Sequence, residues 1–353
     1  MQVSRRVNPD FWAGRRVLLT GHTGFKGSWA TLWLARMGAH VTGIGLPPDS
    51  TPALFDLAGV EAACDSVMLD IRDGAALARA VAQARPDIII HMAAQALVRP
   101  SYRDPLATMA ANVMGTANLL EAARTVSDLE AILVVTTDKV YENPETGQAF
   151  SETDPLGGHD PYSASKAAAE IVTASWRRSF YGARPVLSAR AGNVIGGGDF
   201  SAERIVPDIW RAARAGEVLK LRYPRATRPW QHVLDCLAGY FLYLEAAVSG
   251  EDIPPALNFG PDAAAGEASV SQVAETMQAA LGVAQGWQAD SPPELHEMGR
   301  LVLDTALARR VLGWDDRLDT EAAIARTADW YRALDAGQDM GQRTRDQIEA
   351  FCA

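Results

Sequence analysis

Short apolar runs alternate along the first half of the chain with longer segments that have helical apolar spacing. The short runs are typical of buried strands, and the segments between them are long enough for helices. The predicted strands are Arg16–Thr20, His40–Ile44, Ser66–Leu69, Asp87–His91, Ala131–Val135 and Pro185–Ala191. The predicted helices include Ser28–Met37, Gly74–Ala84 and Pro105–Arg124. Strands that alternate with helices in this way predict an α/β fold with a doubly wound parallel sheet.

The pattern changes in the second half of the chain. Helical patterns over Arg204–Arg214 and Leu234–Val248 are separated by short polar segments, and Pro254–Pro261 is interpreted as a short strand between breakers. We therefore predict a nucleotide-binding domain with the catalytic residues over 1–195. Residues 196–353 are predicted to form mainly a smaller C-terminal α/β lobe that binds the substrate. The chain is expected to cross between the two lobes more than once.

Composition limits the classes of partner and the compartment. The 353 residues include 43 acidic and 33 basic ones, which gives a net charge of −10. Nucleic acids and anionic membranes favour clustered basic residues, so neither is an expected partner. Cys64, Cys236 and Cys352 have neither zinc-ligand spacing nor the pattern of a disulfide framework, so no metal site is expected and a reducing interior is favoured. With no apolar leader and no membrane-length apolar window, the protein is expected to be cytoplasmic.

A glycine-rich turn follows the first predicted strand and opens the first helix. Glycines at this spacing allow a tight turn and let the backbone approach a pyrophosphate at the helix N-terminus. The spacing alone is weak evidence, but its strand–turn–helix context predicts a dinucleotide site of the Rossmann type. The predicted contacts are Gly21, His22, Gly24, Phe25, Lys26 and Gly27. NAD-binding folds usually carry a ribose-binding acid after the second strand. None precedes Asp49 here, and Lys26 would favour a ribose phosphate, so NAD and NADP both stay open at this point.

Further cofactor contacts are predicted where the third and fourth strands end. Asp70 and Ile71 fit the position beside the adenine, although Asp70 is equally placed to cap the next helix. The small residues Ala93 and Ala94 let the nicotinamide half lie against the backbone, and Gln95 is placed to reach cofactor and substrate. Asn112, on the inner face of a helix, completes the predicted cofactor site, where it needs buried partners and is expected to support the strand ends.

Proton-transfer chemistry is predicted at two places. Tyr162 and Lys166 are four residues apart, so a helix places them on one face, one turn from each other. A lysine ammonium there favours the phenolate, and the tyrosine can then take a proton from a sugar hydroxyl. Such pairs arise by chance in many helices, but this one follows the glycine turn and the strand ends in the order that one fold requires. Thr137, Asp138 and Lys139 end the fifth strand, at the edge where open α/β sheets bind ligands.

Polar residues of the second half are candidates for binding the substrate. Asn193 follows the sixth predicted strand and is placed to bind a sugar or its phosphates. Arg204, Arg228 and Arg225 are candidates for a diphosphate, because a planar guanidinium matches phosphate oxygens. Arg228 is the strongest of the three, since the segment Pro229–His232 fixes it between an irregular stretch and a helix.

The motifs described so far resemble those of the nucleotide-sugar 4,6-dehydratases, within the extended short-chain dehydrogenase/reductase family. The resemblance extends over essentially the whole chain, and the segments that carry it are Gly21–Trp29, Gln95–Tyr102, Thr137–Tyr141, Arg190–Asp199 and Arg228–Gln231. Most of these dehydratases have Asp-Glu after the threonine. The pair Asp138-Lys139 is instead similar to the branch of the family that acts on CDP-glucose.

The resemblance implies NAD as the cofactor, CDP-glucose as the substrate, and a 4-keto-6-deoxy sugar plus water as the products. Tyr162, assisted by Lys166 and Thr137, would take the proton of the carbon 4 hydroxyl while NAD accepts the hydride. Lys139 would remove the carbon 5 proton or stabilise the enolate. Asp138 would protonate the departing carbon 6 hydroxyl.

The resemblance also implies a homodimer or a dimer of dimers, paired through the helices that hold Asn112 and Tyr162. Two other functions stay open. A sugar-nucleotide 4-epimerase shares Tyr162 and Lys166 but needs no acid at Asp138, so release of water discriminates between the two. A non-catalytic NAD-sensing protein would keep the glycine turn without turnover.

Overall fold

The computed structural model describes residues 4–262, 268–290 and 301–353. In chain order the strands are β1 Arg16–Thr20, β2 His40–Gly45, β3 Asp65–Met68, β4 Ile88–His91, β5 Ala131–Val135, β6 Ala149–Phe150, β7 Val186–Ala191, β8 Asn193–Ile195, β9 Leu219–Leu221, β10 Thr227–Arg228, β11 Trp230–His232, β12 Ala256–Phe259, β13 Ala268–Ser269, β14 Trp287–Ala289 and β15 Val302–Leu303. The α-helices are α1 Pro9–Trp12, α2 Phe25–Arg36, α3 Leu54–Leu57, α4 Gly74–Ala84, α5 Val98–Arg103, α6 Pro105–Met109, α7 Gly115–Ala123, α8 Pro161–Phe180, α9 Ile205–Ala215, α10 Val233–Val248, α11 Val270–Leu281, α12 Ala306–Leu312, α13 Thr320–Asp335 and α14 Met340–Cys352. A π-helical turn, Ala110–Met114, joins α6 to α7, and 3₁₀ turns lie at Val60–Ala63 and Asp138–Val140.

Seven strands form one parallel sheet in the order β12-β7-β5-β4-β1-β2-β3. This order confirms the predicted doubly wound Rossmann fold. The chain moves from β1 to β2 on one side and later returns to β4 on the other side of β1. The carboxyl ends of β1 and β4 therefore border the crevice in which such sheets bind ligands.

Helices cover both faces of this sheet, so its central strands are apolar on both sides. Side chains alternate between the faces along each strand. Along β1, Val17 and Leu19 belong to the hydrophobic core that includes α2 and α10, whereas Leu18 belongs to the core formed with α4 and α7. Burial on both faces explains why these strands appear in the sequence as continuous apolar runs.

The second half of the chain forms small strand pairs and also contributes one strand to the main sheet. Short strand pairs, β8 with β11, β9 with β14 and β10 with β13, lie outside the main sheet. The strand β12, however, pairs with β7 as an edge of the main sheet, and α10 packs beneath it. Within the described residues, the structure contains no helix long and apolar enough to cross a bilayer.

Candidate active site

A cavity of about 1160 Å³ lies at the carboxyl ends of the central strands and is lined by residues from both halves of the chain, from Gly21 to Val270. Its volume exceeds the ~300–1,000 Å³ of pockets that hold one drug-sized ligand. The sequence contains only four lysines beside 29 arginines. All four lysines line this cavity: Lys26, Lys139, Lys166 and Lys220. Almost all other basic residues of the chain are arginines, so the lysine side chains are concentrated at this one site.

The glycine-rich turn forms one wall of the cavity and is tightly packed. Gly21 has a φ of +82°, and a Cβ on it would lie 2.8 Å from the backbone nitrogen of Ala93. A Cβ on Gly27 would overlap the carbonyl oxygen of Gly21. At Gly24, the N-cap of α2, the nearest atom would be 3.5 Å away. The space at Gly24 is therefore left open on the cavity side of a helix N-terminus, as a pyrophosphate requires.

His22, a predicted cofactor contact, is absent from the cavity wall. Its side chain is fully buried, and its Nε2 lies 2.7 Å from the hydroxyl of Ser66. A Cβ on Gly43 would overlap the imidazole ring. Burial lowers the pKa of His22. The imidazole thus supports the turn from below as a neutral core group, while the neighbouring Phe25 lines the cavity.

Lys26 lines the cavity, but away from the position expected for a ribose phosphate. Its Nζ donates to the hydroxyl of Tyr240 on α10 at 3.3 Å, and its charge contributes to lowering the pKa of Lys166. Lys26 therefore belongs beside the predicted Tyr162–Lys166 pair, not at the end of β2 where NADP carries its extra phosphate. The interpretation of Lys26 as a reader of NADP has no support in this geometry.

Asp70 and Ile71 both line the cavity beyond the end of β3. Asp70 accepts from the side chain of Arg72 at 2.8 Å, and this hydrogen bond holds the pKa of Asp70 below its usual value. The residue that caps α4 is Asp73, whose carboxylate accepts from the backbone N–H of Ala76. The alternative role of Asp70 as a helix cap is thereby wrong.

Asn112 is a support of the cavity wall and not a member of it. Its Oδ1 accepts from the backbone N–H of Gln95 at 2.8 Å, and its Nδ2 donates to the Gln95 carbonyl at 3.0 Å and to the hydroxyl of Ser165 at 2.8 Å. These bonds join the loop after β4 to α8. Asn112 lies in the π-helical turn, and such turns frequently occur at functional sites.

The side chain of Gln95 is committed to its own loop. It donates to Thr108 at 3.0 Å and accepts from the backbone N–H of Leu97 at 2.5 Å. Gln95 lines the cavity together with Ala93 and Ala94. The predicted reach of its amide toward cofactor or substrate is thus not seen, because both polar ends already have protein partners.

The predicted catalytic pair lies at the start of α8. Asp160 caps this helix, and Lys166 donates from Nζ to the carbonyl of Val135, the last residue of β5, at 3.2 Å. Burial lowers the pKa of Lys166 to about 8, which the charge of Lys26 reinforces and that of Glu170 opposes. The amine is therefore mostly protonated at neutral pH.

Tyr162 lines the cavity and is largely buried. Burial raises the pKa of Tyr162 to about 12, whereas a hydrogen bond with Thr137 and the charge of Arg204 lower it. The nearby carboxylate of Asp138 raises it. Burial thus opposes ionisation of the phenol, and its activation depends on the hydroxyl and the cations around it.

Thr137, Asp138 and Lys139 form the turn that follows β5. The Thr137 hydroxyl donates to Asp138 Oδ1 at 2.9 Å. Asp138 is buried, and its Oδ2 has no hydrogen-bond partner among the described residues. A Cβ on Gly192 would lie 3.1 Å from that oxygen. The Nζ of Lys139 lies 4.0 Å from Asp138 Oδ1, and its side chain is 21% exposed. An acid and an amine thus face the cavity from one short turn.

The predicted substrate residues have different locations. Asn193, Arg204 and Arg228 line the cavity; Arg204 donates to Asp199 at 3.2 Å and Arg228 to the carbonyl of Thr227 at 2.8 Å. The pairing of β8 with β11 sets Asn193 opposite Trp230, close to Arg228. Arg225 is exposed and lies outside the cavity wall, so the structure does not bring it into the site.

Four further cations line the cavity and were not singled out from the sequence: Arg72, Arg99, Lys220 and Arg222. Arg99 forms an ion pair with Glu203 at 3.7 Å, and its buried Nε has no hydrogen-bond partner within the described part of the chain. Arg99 lies inside the motif Gln95–Tyr102. Lys220 was detectable as one of only four lysines.

Comparisons with known proteins show the family to which the chain belongs. The family described as NAD dependent epimerase/dehydratase matches residues 17–260. The chain is 40% identical over 346 residues to a CDP-glucose 4,6-dehydratase of Salmonella typhimurium, with 95% of each chain covered. It is 31% identical over 336 residues to a dTDP-glucose 4,6-dehydratase of Xanthomonas campestris, which covers 89% of this chain and 92% of the relative.

Solved structures of both reaction types share the fold. A dTDP-glucose 4,6-dehydratase from Streptomyces venezuelae, solved with NAD bound, has a TM-score of 0.78 and 26% identity, with 92% of this chain and 99% of that chain covered. A UDP-glucose 4-epimerase from Thermus thermophilus, also in complex with NAD, has a TM-score of 0.78 and 27% identity, with coverages of 90% and 99%.

Two glycine substitutions test whether the glycine-rich turn binds the dinucleotide. Gly24→Ala should leave the melting temperature of the cofactor-free protein unchanged, because its Cβ has room. It should weaken NAD binding by at least about ten-fold, the effect of ~1.4 kcal/mol, since the Cβ occupies the space beside the helix N-terminus. Gly27→Ala should lower both the melting temperature and the NAD affinity, because its Cβ overlaps the turn.

Calorimetric titration with NAD and thermal unfolding measure the two effects separately. Wild-type affinity in Gly24→Ala would contradict the location of the pyrophosphate. An unchanged melting temperature in Gly27→Ala would contradict the packing of the turn.

Proposed function

Because the chain belongs to the NAD-dependent epimerase/dehydratase family, we propose that it removes water from CDP-glucose and yields CDP-4-keto-6-deoxyglucose. The observation that carries this proposal is the buried Oδ2 of Asp138, which has no partner among the described residues and borders the cavity. A buried acid without a partner needs a ligand to satisfy it. Dehydration supplies one in the departing carbon 6 hydroxyl, whereas 4-epimerisation does not require an acid there.

The cofactor is NAD, which when bound along the glycine turn supplies a hydride acceptor and donor. Tyr162 is the residue proposed to take the proton of the carbon 4 hydroxyl. Thr137 and Arg204 favour its ionised form, and Lys166, anchored to the carbonyl of Val135, provides the ammonium one helical turn away. Oxidation at carbon 4 then acidifies the proton on carbon 5.

Elimination is proposed to use the turn after β5. Lys139 takes the carbon 5 proton as a neutral amine, or its ammonium stabilises the enolate while Asp138 or water takes that proton; Asp138 gives a proton to the leaving hydroxyl on carbon 6. The carbon–oxygen bond breaks and water leaves. The two groups can act on adjacent carbons because they lie on one 3₁₀ turn, with 4.0 Å between Lys139 Nζ and Asp138 Oδ1. The product forms when the sugar regains a hydride at carbon 6 and a proton at carbon 5.

A homodimer is proposed to form through α6, the π-helical turn and α8. Leu106, Met114 and Ile171 expose 81%, 56% and 60% of their surface on these segments. Large apolar side chains this exposed on neighbouring helices favour a protein partner. The same segments carry Asn112 and Tyr162, so a dimer would stiffen the helices behind the site.

A panel of nucleotide-activated sugars tests the proposed substrate. With NAD present, CDP-glucose should be consumed faster than dTDP-glucose or GDP-mannose, and proton NMR should show a carbon 6 methyl signal replacing the hydroxymethyl. Faster turnover of another nucleotide would show that the base is not cytosine. Formation of CDP-galactose, with the carbon 6 hydroxyl retained, would establish a 4-epimerase instead.

Substitutions of the turn after β5 test the elimination step. Asp138→Asn keeps the shape of the side chain but removes the acid, and should slow product formation about 10²–10⁴-fold, the typical contribution of general acid–base catalysis. Lys139→Ala should block elimination and, in deuterium oxide, exchange of the carbon 5 proton. Lys220→Ala, a cavity lysine of the other lobe, is the control and should alter KM more than kcat. A near wild-type rate in Lys139→Ala would remove Lys139 from the mechanism.

Sedimentation analysis tests the proposed dimer. Met114→Arg introduces a charge into the exposed apolar face and should convert the dimer to a monomer. Val218→Arg is the matched control, because Val218 is 45% exposed but lies in the other lobe, and it should leave the dimer intact. A wild-type protein that sediments as a monomer at micromolar concentration would refute this assembly.

A further inference from the structure

We propose that Glu170 is a positioning residue of the reaction: its carboxylate fixes the strand end that precedes Thr137 and Asp138, and it supplies a negative charge one helical turn from Lys166. The effect of Glu170 on catalysis rests on the proposed function. The contacts of Glu170 are observed in the structure and do not depend on that function. Glu170 does not line the cavity, so it acts through these neighbours and not on the substrate.

The helix α8 is attached to the carboxyl end of β5 by two consecutive bonds. Lys166 donates to the carbonyl of Val135 at 3.2 Å. The hydroxyl of the next residue, Thr136, donates to Glu170 Oε1 at 2.6 Å. Glu170 follows Lys166 by four residues, so both side chains leave the same face of the helix. The turn with Thr137 begins directly after this attachment.

Glu170 is itself held by a buried arginine. Arg190 of β7 donates from Nε to Oε1 at 3.0 Å and from Nη2 to Oε2 at 3.1 Å. The side chains of Arg190 and Glu170 are 6% and 4% exposed. Arg190 also donates to the hydroxyl of Tyr141 at 2.8 Å, which in turn donates to Asn258 of β12 at 2.6 Å. Three strands and one helix thus meet at this ion pair.

A buried ion pair is a poor way to gain stability alone, because well-packed apolar residues often stabilise a core as well or better. Its presence directly behind the predicted catalytic residues therefore favours a role in charge control. The Thr136–Glu170 bond adds geometric control, because it fixes the hydroxyl that precedes Thr137.

Glu170 provides the opposing charge that Lys166 needs. The ionisable groups that interact with Lys166 are Lys26 from α2, His91 from β4 and Glu170 on its own helix. Burial and Lys26 lower the pKa of Lys166 to about 8, whereas Glu170 raises it. His91 is neutral, since burial lowers its pKa to about 3. Without the Glu170 charge the pKa of Lys166 falls further, and the amine loses its proton nearer to neutral pH.

The groups that face Glu170 do not replace this interaction. They are Arg190 on β7, Arg177 on its own helix and Tyr243 on α10. Two are cations and the third is a phenol whose pKa burial raises well above its usual value. Neutralising Glu170 therefore leaves a positive environment behind Lys166.

NMR titration of lysine side chains tests the charge effect without relying on turnover. With only four lysines in the chain, protein labelled with carbon-13 at lysine Cε gives a few resolved signals, and Lys166→Arg identifies that of Lys166. With NAD present, Glu170→Gln should lower the pKa of Lys166 by about one pH unit, because a nearby opposite charge shifts a pKa by ~1–3. An unchanged Lys166 titration in folded Glu170→Gln would overturn the proposal.

Glu152→Gln is the matched control. Glu152 is a carboxylate of the same network, where it accepts from the backbone N–H of Asn258 at 2.9 Å, but it is not among the groups that act on Lys166. This variant should leave the Lys166 titration unchanged. A pKa decrease as large as that in Glu170→Gln would mean that any damage to the network, and not the Glu170 charge, controls Lys166.

A second variant protects the test against misfolding. Glu170→Gln leaves the buried Arg190 with a neutral partner, so the double variant Glu170→Gln/Arg190→Gln removes both charges together. It should lower the Lys166 pKa in the same direction, because the supporting charge is still absent. An unchanged pKa in the double variant would contradict the proposal even if the single variant failed to fold.

Steady-state kinetics complete the test. With the preferred nucleotide-glucose, Glu170→Gln should move the alkaline limb of the kcat profile to lower pH by about the NMR difference, while KM changes by less than about two-fold. Thr136→Val, which removes only the hydroxyl bond, should lower kcat without moving that limb. An unmoved limb in Glu170→Gln would overturn the charge role. Failure of the wild type to dehydrate any sugar would reject the proposed function, while the NMR titration still decides the role of Glu170.

Discussion

The attachment of α8 to the carboxyl end of β5 is the constraint on which the site depends. Lys166 and Glu170 form hydrogen bonds with the consecutive residues Val135 and Thr136 at that strand end. These bonds hold Tyr162 on the helix near Thr137 and Asp138 on the turn after the strand. Because β5 is one strand away from the switch point between β1 and β4, these residues lie near the glycine-rich turn that is proposed to bind the dinucleotide. Displacing the helix would separate the groups that the proposed reaction needs together.

Polar atoms without internal partners mark the part of the cavity that a ligand would complete. Among the described residues that line the cavity these are Asp138 Oδ2 and Arg99 Nε. Most other buried polar groups nearby are satisfied within the protein, as Asn112 and Gln95 illustrate. The site therefore combines a rigid supporting network with a few groups reserved for a ligand. The four lysines of the chain also line this cavity, so that their amines are available to a ligand there.

Much of the nucleotide-binding half was predictable because its signals are local. The predicted helix Gly74–Ala84 agrees with α4, and the central strands were recognisable because burial on both faces makes them continuously apolar. The π-helical turn at Asn112 was not predictable, because the sequence has a continuous helical pattern at the place where the backbone departs from the α-helix. The helices α11 to α14 were also missed, because their apolar faces become interpretable only once their packing partners are known.

The errors in the site arose from contacts that are distant in the sequence. His22 is drawn into the core because Gly43 leaves room for its ring, and Lys26 is directed to Tyr240, far along the chain on α10. Arg225 was predicted as a phosphate ligand and Arg222 was not, yet of the two only Arg222 lines the cavity. Motif position thus predicted which segments meet, whereas side-chain direction depended on tertiary packing.

In the proposed reaction, one site oxidises carbon 4, expels water and reduces carbon 6 of the same sugar. CDP-glucose deuterated at carbon 4 tests this internal hydride transfer, with the position of the label followed by deuterium NMR. The deuterium should move to carbon 6 of the 4-keto-6-deoxy product without passing to other molecules. Deuterium that remains at carbon 4 of a CDP-hexose that keeps its carbon 6 hydroxyl would contradict the account.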